Sequence, residues 1–175
     1  MGYSMVDHLS TTGLDQKYNT FKLSDGSLIG CIIYDTNGTD RYRLLNETYF
    51  KKVDGCLLVY DITNRRSFEQ IKDYFIPAIK EKCKRNIYTL LLGNKSDMAD
   101  KRKISFEEGY ELASENNFRF KEASCFENKN VSESFQSIIE NTYYEKKNNW
   151  SILDDSITLN TNRHINLNNK RKKCC

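Results

Sequence analysis

The stretch LLLGNKSDM, residues 90–98, joins an apolar run directly to a set of polar side chains. Its three consecutive leucines cannot all point to one face of a strand, because side chains alternate between the two faces. Such a strand is buried on both faces, as in a parallel sheet with helices on each side. Asn94, Lys95 and Asp97 follow it and therefore lie at the carboxyl edge, where open α/β sheets bind ligands.

Strand and helix patterns alternate on both sides of this stretch, which is typical of an α/β fold. Further strands are predicted over KYNTFKL, LIGCIIYD, CLLVYDIT and FRFKEAS. The first two flank Asp25 and Gly26, a pair that favours a hairpin turn. The third is rich in apolar residues throughout, so we expect both of its faces to be buried as well.

Three helices are predicted over SFEQIKDYFIPAIKEKC, SFEEGYELASENN and NVSESFQSIIENTYYEKK. Ser67 with Gln70 and Ser105 with Glu108 have the spacing of a capping box, so each serine is expected to start its helix. Pro77 lies inside the first helical pattern, where the missing N–H should kink or shorten the helix.

Length and composition exclude several classes of protein. The chain has 175 residues, of which 38% are hydrophobic, and no segment is apolar over the ~18 residues of a spanning helix. The formal net charge of +3 is too small to indicate nucleic-acid binding, and no nucleic-acid partner is expected. The four internal cysteines, which have no CxxC spacing and are expected to be buried thiols, are Cys31, Cys56, Cys83 and Cys125.

The composition changes near Asn148. We expect a folded domain over residues 1–148 and a disordered tail over 149–175, because the tail is rich in asparagine and lacks a sustained apolar period. The tail ends in KRKKCC, where four cations precede Cys174 and Cys175.

The polar residues after the leucine run have a specific chemistry. An asparagine amide both donates and accepts, an aspartate carboxylate can accept from two adjacent N–H groups, and a lysine stem can lie flat along a ring. Together Asn94, Lys95 and Asp97 could bind guanine and reject adenine, which lacks the paired donors. The alternative is an ordinary capped loop, since Asn, Asp and Ser are common turn residues.

Three other segments decide between these interpretations. YDTNGTDRYR at 34–43 resembles the DxxG switch segment of small GTPases of the Ras superfamily, VYDITNRRSFE at 59–69 resembles their fourth strand and turn, and EASCF at 122–126 resembles their last guanine loop. The order and spacing also agree, over about Ser10 to Lys147. The terminal double cysteine is closest to the Rab branch.

The resemblance implies a P-loop NTPase-like fold, a doubly wound, mostly parallel sheet with GTP or GDP and magnesium as ligands. The nucleotide-binding residues that it implies are Asp35, Thr36, Asn37, Gly38, Thr39, Asn94, Lys95, Asp97, Ser124 and Cys125. Thr11 would bind the magnesium ion, and the Asp35 carboxylate would contact the ion through a water molecule. The effector-facing segment would be His8, Leu9, Ser10, Thr11, Thr12, Gly13, Leu14, Asp15 and Gln16.

Two departures from the family pattern weaken the expected activity. Thr39 stands where the family has the glutamine that orients the attacking water, so hydrolysis should be slow and no catalytic residue is assigned. No GxxxxGKS or GxxxxGKT phosphate loop occurs in the 175 residues, and the family pattern would place it about twenty residues before Thr11. We therefore expect the first strand, the phosphate loop and the first helix to be missing. The family's third and fourth strands would then pair directly, or the chain is incomplete.

The resemblance also implies a location and partners. Cys174 and Cys175 would carry geranylgeranyl groups, which with the basic run would hold the protein on the cytoplasmic side of an intracellular or plasma membrane. A cytosolic pool, prenylation escorts and effector proteins are expected too. The leading hypothesis is a Rab-like GTP-binding protein of vesicle traffic with weakened nucleotide binding and hydrolysis. The alternatives are a prenylated pseudo-GTPase that only binds proteins, and an incomplete gene product.

Overall fold

A computed structural model describes residues 14–36, 48–83 and 87–157, with the backbone alone for Leu14 and residues 149–157. Its strands are β1 (Leu14–Lys22), β2 (Leu28–Thr36), β3 (Gly55–Asp61), β4 (Tyr88–Asn94) and β5 (Arg119–Glu122). The α-helices are α1 (Arg65–Gln70), α2 (Ile76–Lys82), α3 (Phe106–Glu115) and α4 (Val131–Ile157). The chain divides into two compact units, Met1–Tyr143 and Tyr144–Cys175.

Three parallel strands form the main sheet, in the order β3-β4-β5. The central strand β4 is buried at every position except its two ends, so both of its faces are covered. Leu91 lies opposite Leu58 on one side and Phe120 on the other, and it is fully buried. The predicted α/β class and the two-sided burial of the leucine run are confirmed.

Strand β3 corrects the prediction that both of its faces are buried. Leu58 and Tyr60 are buried, but Val59 between them is 46% exposed. Alternate residues of a strand point to opposite faces, so one face of β3 packs on the core and the other is partly open. Among the described residues, β3 is hydrogen-bonded to β4 alone, which makes it an edge strand.

Strands β1 and β2 form a separate antiparallel hairpin. Its turn is closed by hydrogen bonds from Gly26 N to Leu23 O (3.0 Å) and from Leu23 N to Ser27 O (2.8 Å). Gly26 has a φ of 84°, a conformation that favours glycine, so the predicted turn is confirmed. Strands β2 and β3 correspond to the family's third and fourth strands. No ladder joins them in the described residues, so the alternative that these two strands pair directly is wrong.

The helical segment after β3 begins earlier than predicted. Asn64 is the N-cap of α1, because its side chain accepts a hydrogen bond from Arg66 N (3.1 Å). Ser67, the predicted cap, instead lies in the first turn, where its Oγ donates to Asn64 O (2.7 Å). A π-helical segment, Ile71–Phe75, then interrupts the helix just before Pro77, as expected from the missing N–H.

The two later helices differ in how well their ends were predicted. The capping box of α3 is confirmed, with Glu108 N donating to Ser105 Oγ and Ser105 N donating to Glu108 Oε2, both at 3.0 Å. Helix α4 continues past Asn148 to Ile157, so the backbone of residues 149–157 is helical and the prediction of a disordered tail is wrong for these nine positions. The division into residues 1–148 and 149–175 otherwise stays a prediction. No helix of the described residues is long and apolar enough to cross a membrane.

Candidate nucleotide site

The carboxyl ends of the parallel strands bring the predicted base-binding residues to one edge of the sheet. Asp61 at the end of β3 lies directly opposite Asn94 at the end of β4. Gly93 in turn lies opposite Glu122, the last residue of β5. This edge therefore carries the segments 94–97 and 124–125, although 27 residues separate Asp97 from Ser124.

Ser124 connects the two loops through its side chain, which is fully buried. Its Oγ donates to Asp97 Oδ1 at 2.5 Å and accepts a hydrogen bond from Glu127 N at 3.0 Å. A second link runs from Cys125 N to Asn94 Oδ1 at 3.2 Å. The predicted residues Asn94, Asp97, Ser124 and Cys125 are thus joined in one hydrogen-bonded group. Cys125 is exposed, so the prediction of a buried thiol is wrong there.

Lys95 occupies an unusual backbone conformation between β4 and the 3₁₀ helix Ser96–Lys101. Its φ of 66° and ψ of 37° lie in the left-handed region, which costs a residue with a Cβ about 1–2 kcal/mol. Hydrogen bonds from Ser96 N to Ala123 O (3.0 Å) and from Met98 N to Lys95 O (2.9 Å) hold it there. Strain of this kind, maintained by surrounding contacts, is typical of functional sites.

The Lys95 side chain is fixed by Asp61, a residue that is not among the predicted site residues. Lys95 Nζ lies 2.6 Å from Asp61 Oδ2, and the two side chains are 49% and 20% exposed. Asp61 Oδ1 also accepts hydrogen bonds from Thr63 N (2.8 Å) and Thr63 Oγ1 (2.7 Å). Its position as the last residue of a strand, like Asn94, is the sequence signal that could have identified it.

These contacts set the charge state of Asp61. Burial alone would raise the pKa of this carboxyl group, because it disfavours the charged form. The hydrogen bonds from Lys95 and Thr63, with the positive charge of Lys95, outweigh burial and lower the pKa below its usual value. Asp61 is therefore ionised at neutral pH and holds the lysine ammonium at one place on the site's edge.

A second ion pair supports the site from the β5 side. Arg102 binds Glu122 through two parallel hydrogen bonds, at 2.5 and 2.8 Å. Asn130 Nδ2 donates to Glu122 O at 2.7 Å and so attaches the start of α4 to the end of β5. The loop that carries Ser124 and Cys125 is consequently held at both of its ends.

The arrangement fits guanine. One oxygen of Asp97 accepts the Ser124 hydroxyl, but a carboxylate has two oxygens with two lone pairs each, so it can still accept from paired N–H donors. Asn94 uses its amide oxygen toward Cys125 N, and its amide group also carries two donors. The Lys95 stem offers an apolar surface beside them. These contacts orient the loop, and they leave acceptor positions on Asp97 and donors on Asn94 that can bind a base.

Comparison with known proteins agrees with this site. The profile of the Ras family matches residues 4–144. The chain belongs to the Ras family. Within it the similarity is to Rab and Ypt proteins, which places the chain in the Rab branch. It is 34% identical over 170 residues to GTP-binding protein ypt2 of Schizosaccharomyces pombe. It is also 42% identical over 127 residues to Ras-related protein Rab-8B of Bos taurus, and 39% over 131 residues to Rab-13 of Canis lupus familiaris.

The aligned lengths differ between these Ras-family relatives. The ypt2 alignment includes 95% of this chain and 81% of ypt2. The Rab-8B alignment includes 73% of this chain and 60% of Rab-8B, and the Rab-13 alignment includes 75% and 64%. The matched part of the chain thus spans about three fifths of Rab-8B.

The predicted phosphate and magnesium residues of this Ras-family chain are only partly described. Asp35, which is exposed, and Thr36 lie at the end of β2, opposite Asp15 and Leu14 of β1. Gln16 lies on the same hairpin, opposite Tyr34. The remaining predicted residues, outside the described ones, are His8, Leu9, Ser10, Thr11, Thr12, Gly13, Asn37, Gly38, Thr39, Cys174 and Cys175. In the described ranges, no group of three or more His, Cys, Asp and Glu side chains could hold a metal ion.

Proposed function

We propose that this Rab-branch protein binds guanine nucleotides and acts in vesicle traffic. The observation that carries the proposal is the hydrogen-bonded group at the sheet edge, in which Ser124 orients Asp97 and Cys125 N orients Asn94. Its ligands are GTP and GDP with magnesium, and its protein partners are effectors that contact residues 8–16. The name of ypt2, a GTP-binding protein, supports the choice of ligand.

We further propose that the 175 residues bind nucleotide weakly and hydrolyse it slowly. They contain no GxxxxGKS or GxxxxGKT motif, and charge-assisted phosphate contacts contribute roughly 1.5–3 kcal/mol each. Losing several of them weakens binding by about five decades. Thr39 is too short to orient an attacking water, and hydrolysis by these residues is slow for that separate reason.

The direct test is a GDP titration of the 175-residue protein and its Asp97→Asn variant, with magnesium present. The variant keeps an oxygen for the Ser124 hydroxyl but loses one acceptor for the paired guanine donors. GDP affinity should fall roughly 10- to 100-fold, and affinity for xanthosine diphosphate should rise, since xanthine has a carbonyl where guanine has an amino group.

Asp100→Asn is the matched control, because Asp100 is an exposed aspartate three residues after Asp97 in the segment Ser96–Lys101. It should leave the affinity for both nucleotides unchanged. Equal losses in the two variants would contradict a base-reading role for Asp97. Submicromolar GDP binding by the unaltered protein would contradict the proposed weakness.

A second candidate function is a pseudo-GTPase that binds proteins and turns over nothing. Thr39 in place of the glutamine favours it. Single-turnover assays, with the protein in saturating excess over GTP, distinguish a weak GTPase from a pseudo-GTPase. Phosphate release that Thr39→Gln accelerates would indicate a weak enzyme, whereas no release from either protein would indicate the binding module.

Attachment to the cytoplasmic side of a membrane is part of the proposal. Geranylgeranyl groups on Cys174 and Cys175 would give stable anchoring, because stable anchoring takes two membrane-binding signals and two lipid chains supply them. The basic residues 170–173 would each add about 1 kcal/mol on an anionic leaflet. A lipid-modified protein of this kind would also bind prenylation escort proteins, and part of it would form a cytosolic pool. Mass spectrometry of the terminal peptide from cells tests this: unmodified cysteines would contradict it.

A further inference from the structure

Phe126 is the most exposed of the large hydrophobic side chains that the structure describes. It is 90% exposed, compared with 71% for Tyr18 on the hairpin and 58% for Tyr110 on α3. Exposing an aromatic ring to water is unfavourable in proportion to its apolar area. A ring this exposed contributes little to the stability of the fold, and its faces are accessible to a ligand.

The loop that carries Phe126 is well ordered by contacts that do not involve the ring. Ser124 and Lys129 exchange two backbone hydrogen bonds, at 3.1 and 2.9 Å, and close the loop. Glu127 N donates to Ser124 Oγ at 3.0 Å, and Asn128 adopts a left-handed conformation with a φ of 54°. The loop therefore holds Phe126 at a fixed place, and replacing the side chain should not unfold it.

The fixed place lies beside the base-reading residues. Cys125, which precedes Phe126, donates its backbone N–H to Asn94 Oδ1 at 3.2 Å. Consecutive Cα atoms are about 3.8 Å apart, so Phe126 starts one residue from a group that contacts Asn94. We take this adjacency in the chain as the geometric basis for a contact between the ring and a planar ligand held by Asn94 and Asp97.

We propose that Phe126 stacks on the nucleobase bound at this edge. The inference rests on the proposed function, because it requires a guanine nucleotide at Asn94 and Asp97. Stacking requires one accessible ring face, and the exposed side chain provides it. A docking anchor for a protein normally lies within an apolar patch, whereas the residues that follow Phe126 are Glu127, Asn128 and Lys129.

Stacking and hydrogen bonding divide recognition between two groups of residues. Every base has a π-face, so a stacked ring raises affinity without selecting one purine. Asp97 would select guanine through its paired donors. Removing the ring should therefore lower the affinity of the parent protein for GDP and the affinity of the Asp97→Asn variant for xanthosine diphosphate by the same factor. A residue that acts through Asp97 would not cause equal losses in the two proteins.

The test is a GDP titration of the full 175-residue protein with three substitutions at position 126. Phe126→Ala removes the ring, Phe126→Leu keeps apolar volume without it, and Phe126→Trp enlarges the aromatic face. Alanine and leucine should lower GDP affinity about 5- to 150-fold, while tryptophan should maintain or raise it. Tyr110→Ala, which removes another exposed aromatic from α3, is the control and should leave affinity unchanged.

A spectroscopic measurement supplies an independent readout. Trp150 is the single tryptophan of the chain, so the double variant Phe126→Trp with Trp150→Phe places one indole at the site. GDP should quench its fluorescence saturably, and Asp97→Ala should abolish the quenching. Unfolding curves of each variant should match the parent protein.

The outcomes separate the two proposals. If the parent protein binds GDP and Asp97→Ala abolishes binding, but Phe126→Ala does not change it, stacking is wrong and the proposed function remains. If the parent protein does not bind GDP at millimolar concentration, both are wrong. Equal GDP affinity for the leucine and tryptophan variants would indicate simple apolar contact and would also overturn stacking.

Discussion

The parallel sheet β3-β4-β5 and the hairpin β1–β2 belong to the same chain but are stabilised very differently. In the sheet, Leu90 and Leu91 of β4 are completely buried, and so is Ile62, which directly follows β3. In the hairpin, Tyr18 is 71% exposed and Leu28 is 69% exposed. The hydrophobic effect, which scales with buried apolar area, therefore stabilises the sheet far more than the hairpin.

This difference corresponds to the two halves of the candidate site. The base-reading residues follow strands of the buried sheet and are joined by hydrogen bonds across Ser124 and Asn94. Asp35 and Thr36, predicted for magnesium and phosphate, lie on the exposed hairpin. The residues that we propose to recognise the base are thus attached to the more deeply buried part of the molecule, and we expect their arrangement to persist when the hairpin opens locally.

The largest effect should come from removing packing in the sheet. Leu91→Ala should lower the free energy of unfolding by about 2–5 kcal/mol, because it leaves a cavity next to Leu58 and Phe120. Ile32→Ala on the hairpin, where the side chain is 48% exposed, should cost about 0.5 kcal/mol or less. Urea unfolding followed by circular dichroism measures both. Equal losses would contradict the contrast between the regions.

Removing the Ser124 hydroxyl should have the second largest effect. Ser124→Ala deprives Asp97 of its donor and leaves Glu127 N without its acceptor, and it should destabilise the protein by about 1–3 kcal/mol. GDP affinity should fall as well, since Asp97 is no longer oriented. Ser114→Ala, at an exposed position of α3, is the control. A normal unfolding curve together with normal GDP affinity would show that the two loops are not coupled.

Most of the sheet could be predicted from the sequence because local patterns determine it. The leucine run of β4, the turn at Gly26 and the capping box at Ser105 each depend on neighbouring residues alone. The cap at Asn64 was missed because asparagine and serine are equally good caps and only the backbone distinguishes them. The exposure of Val59 was missed because an apolar pattern does not show what covers each face.

The site was less predictable than the sheet because it depends on contacts between distant residues. The pairing of Asp61 with Lys95 follows from the register of β3 against β4, which no local pattern gives. The left-handed backbone of Lys95 had no signal either, since lysine does not favour that conformation. The exposure of Phe126 depends on how the loop after β5 is closed.

The Asp61–Lys95 pair should have a smaller effect that depends on pH. The pKa of Asp61 is lowered in the folded state, so its stabilisation is present above its ordinary pKa of about 3.9 and is lost as the pH falls through the folded value. Asp61→Asn should therefore cost about 0.5–1 kcal/mol at pH 7, a size limited by solvent screening, and much less at pH 3. Asp73→Asn, at an exposed aspartate, is the control. A pH-independent cost would contradict the charge effect.

The smallest effect should be confined to the hairpin. Ser24 N donates to Glu140 Oε1 at 2.6 Å, and Gln136 Nε2 donates to Lys22 O at 2.9 Å, so the end of β1 and the hairpin turn are attached to α4 by two hydrogen bonds. Glu140→Ala removes the first bond and also the Glu140 contact that holds Gln136. Hydrogen exchange should become faster in β1 and β2, while β4 keeps its protection, because the sheet core does not involve this contact. Faster exchange throughout β4 would show instead that the hairpin and the sheet open as one cooperative unit.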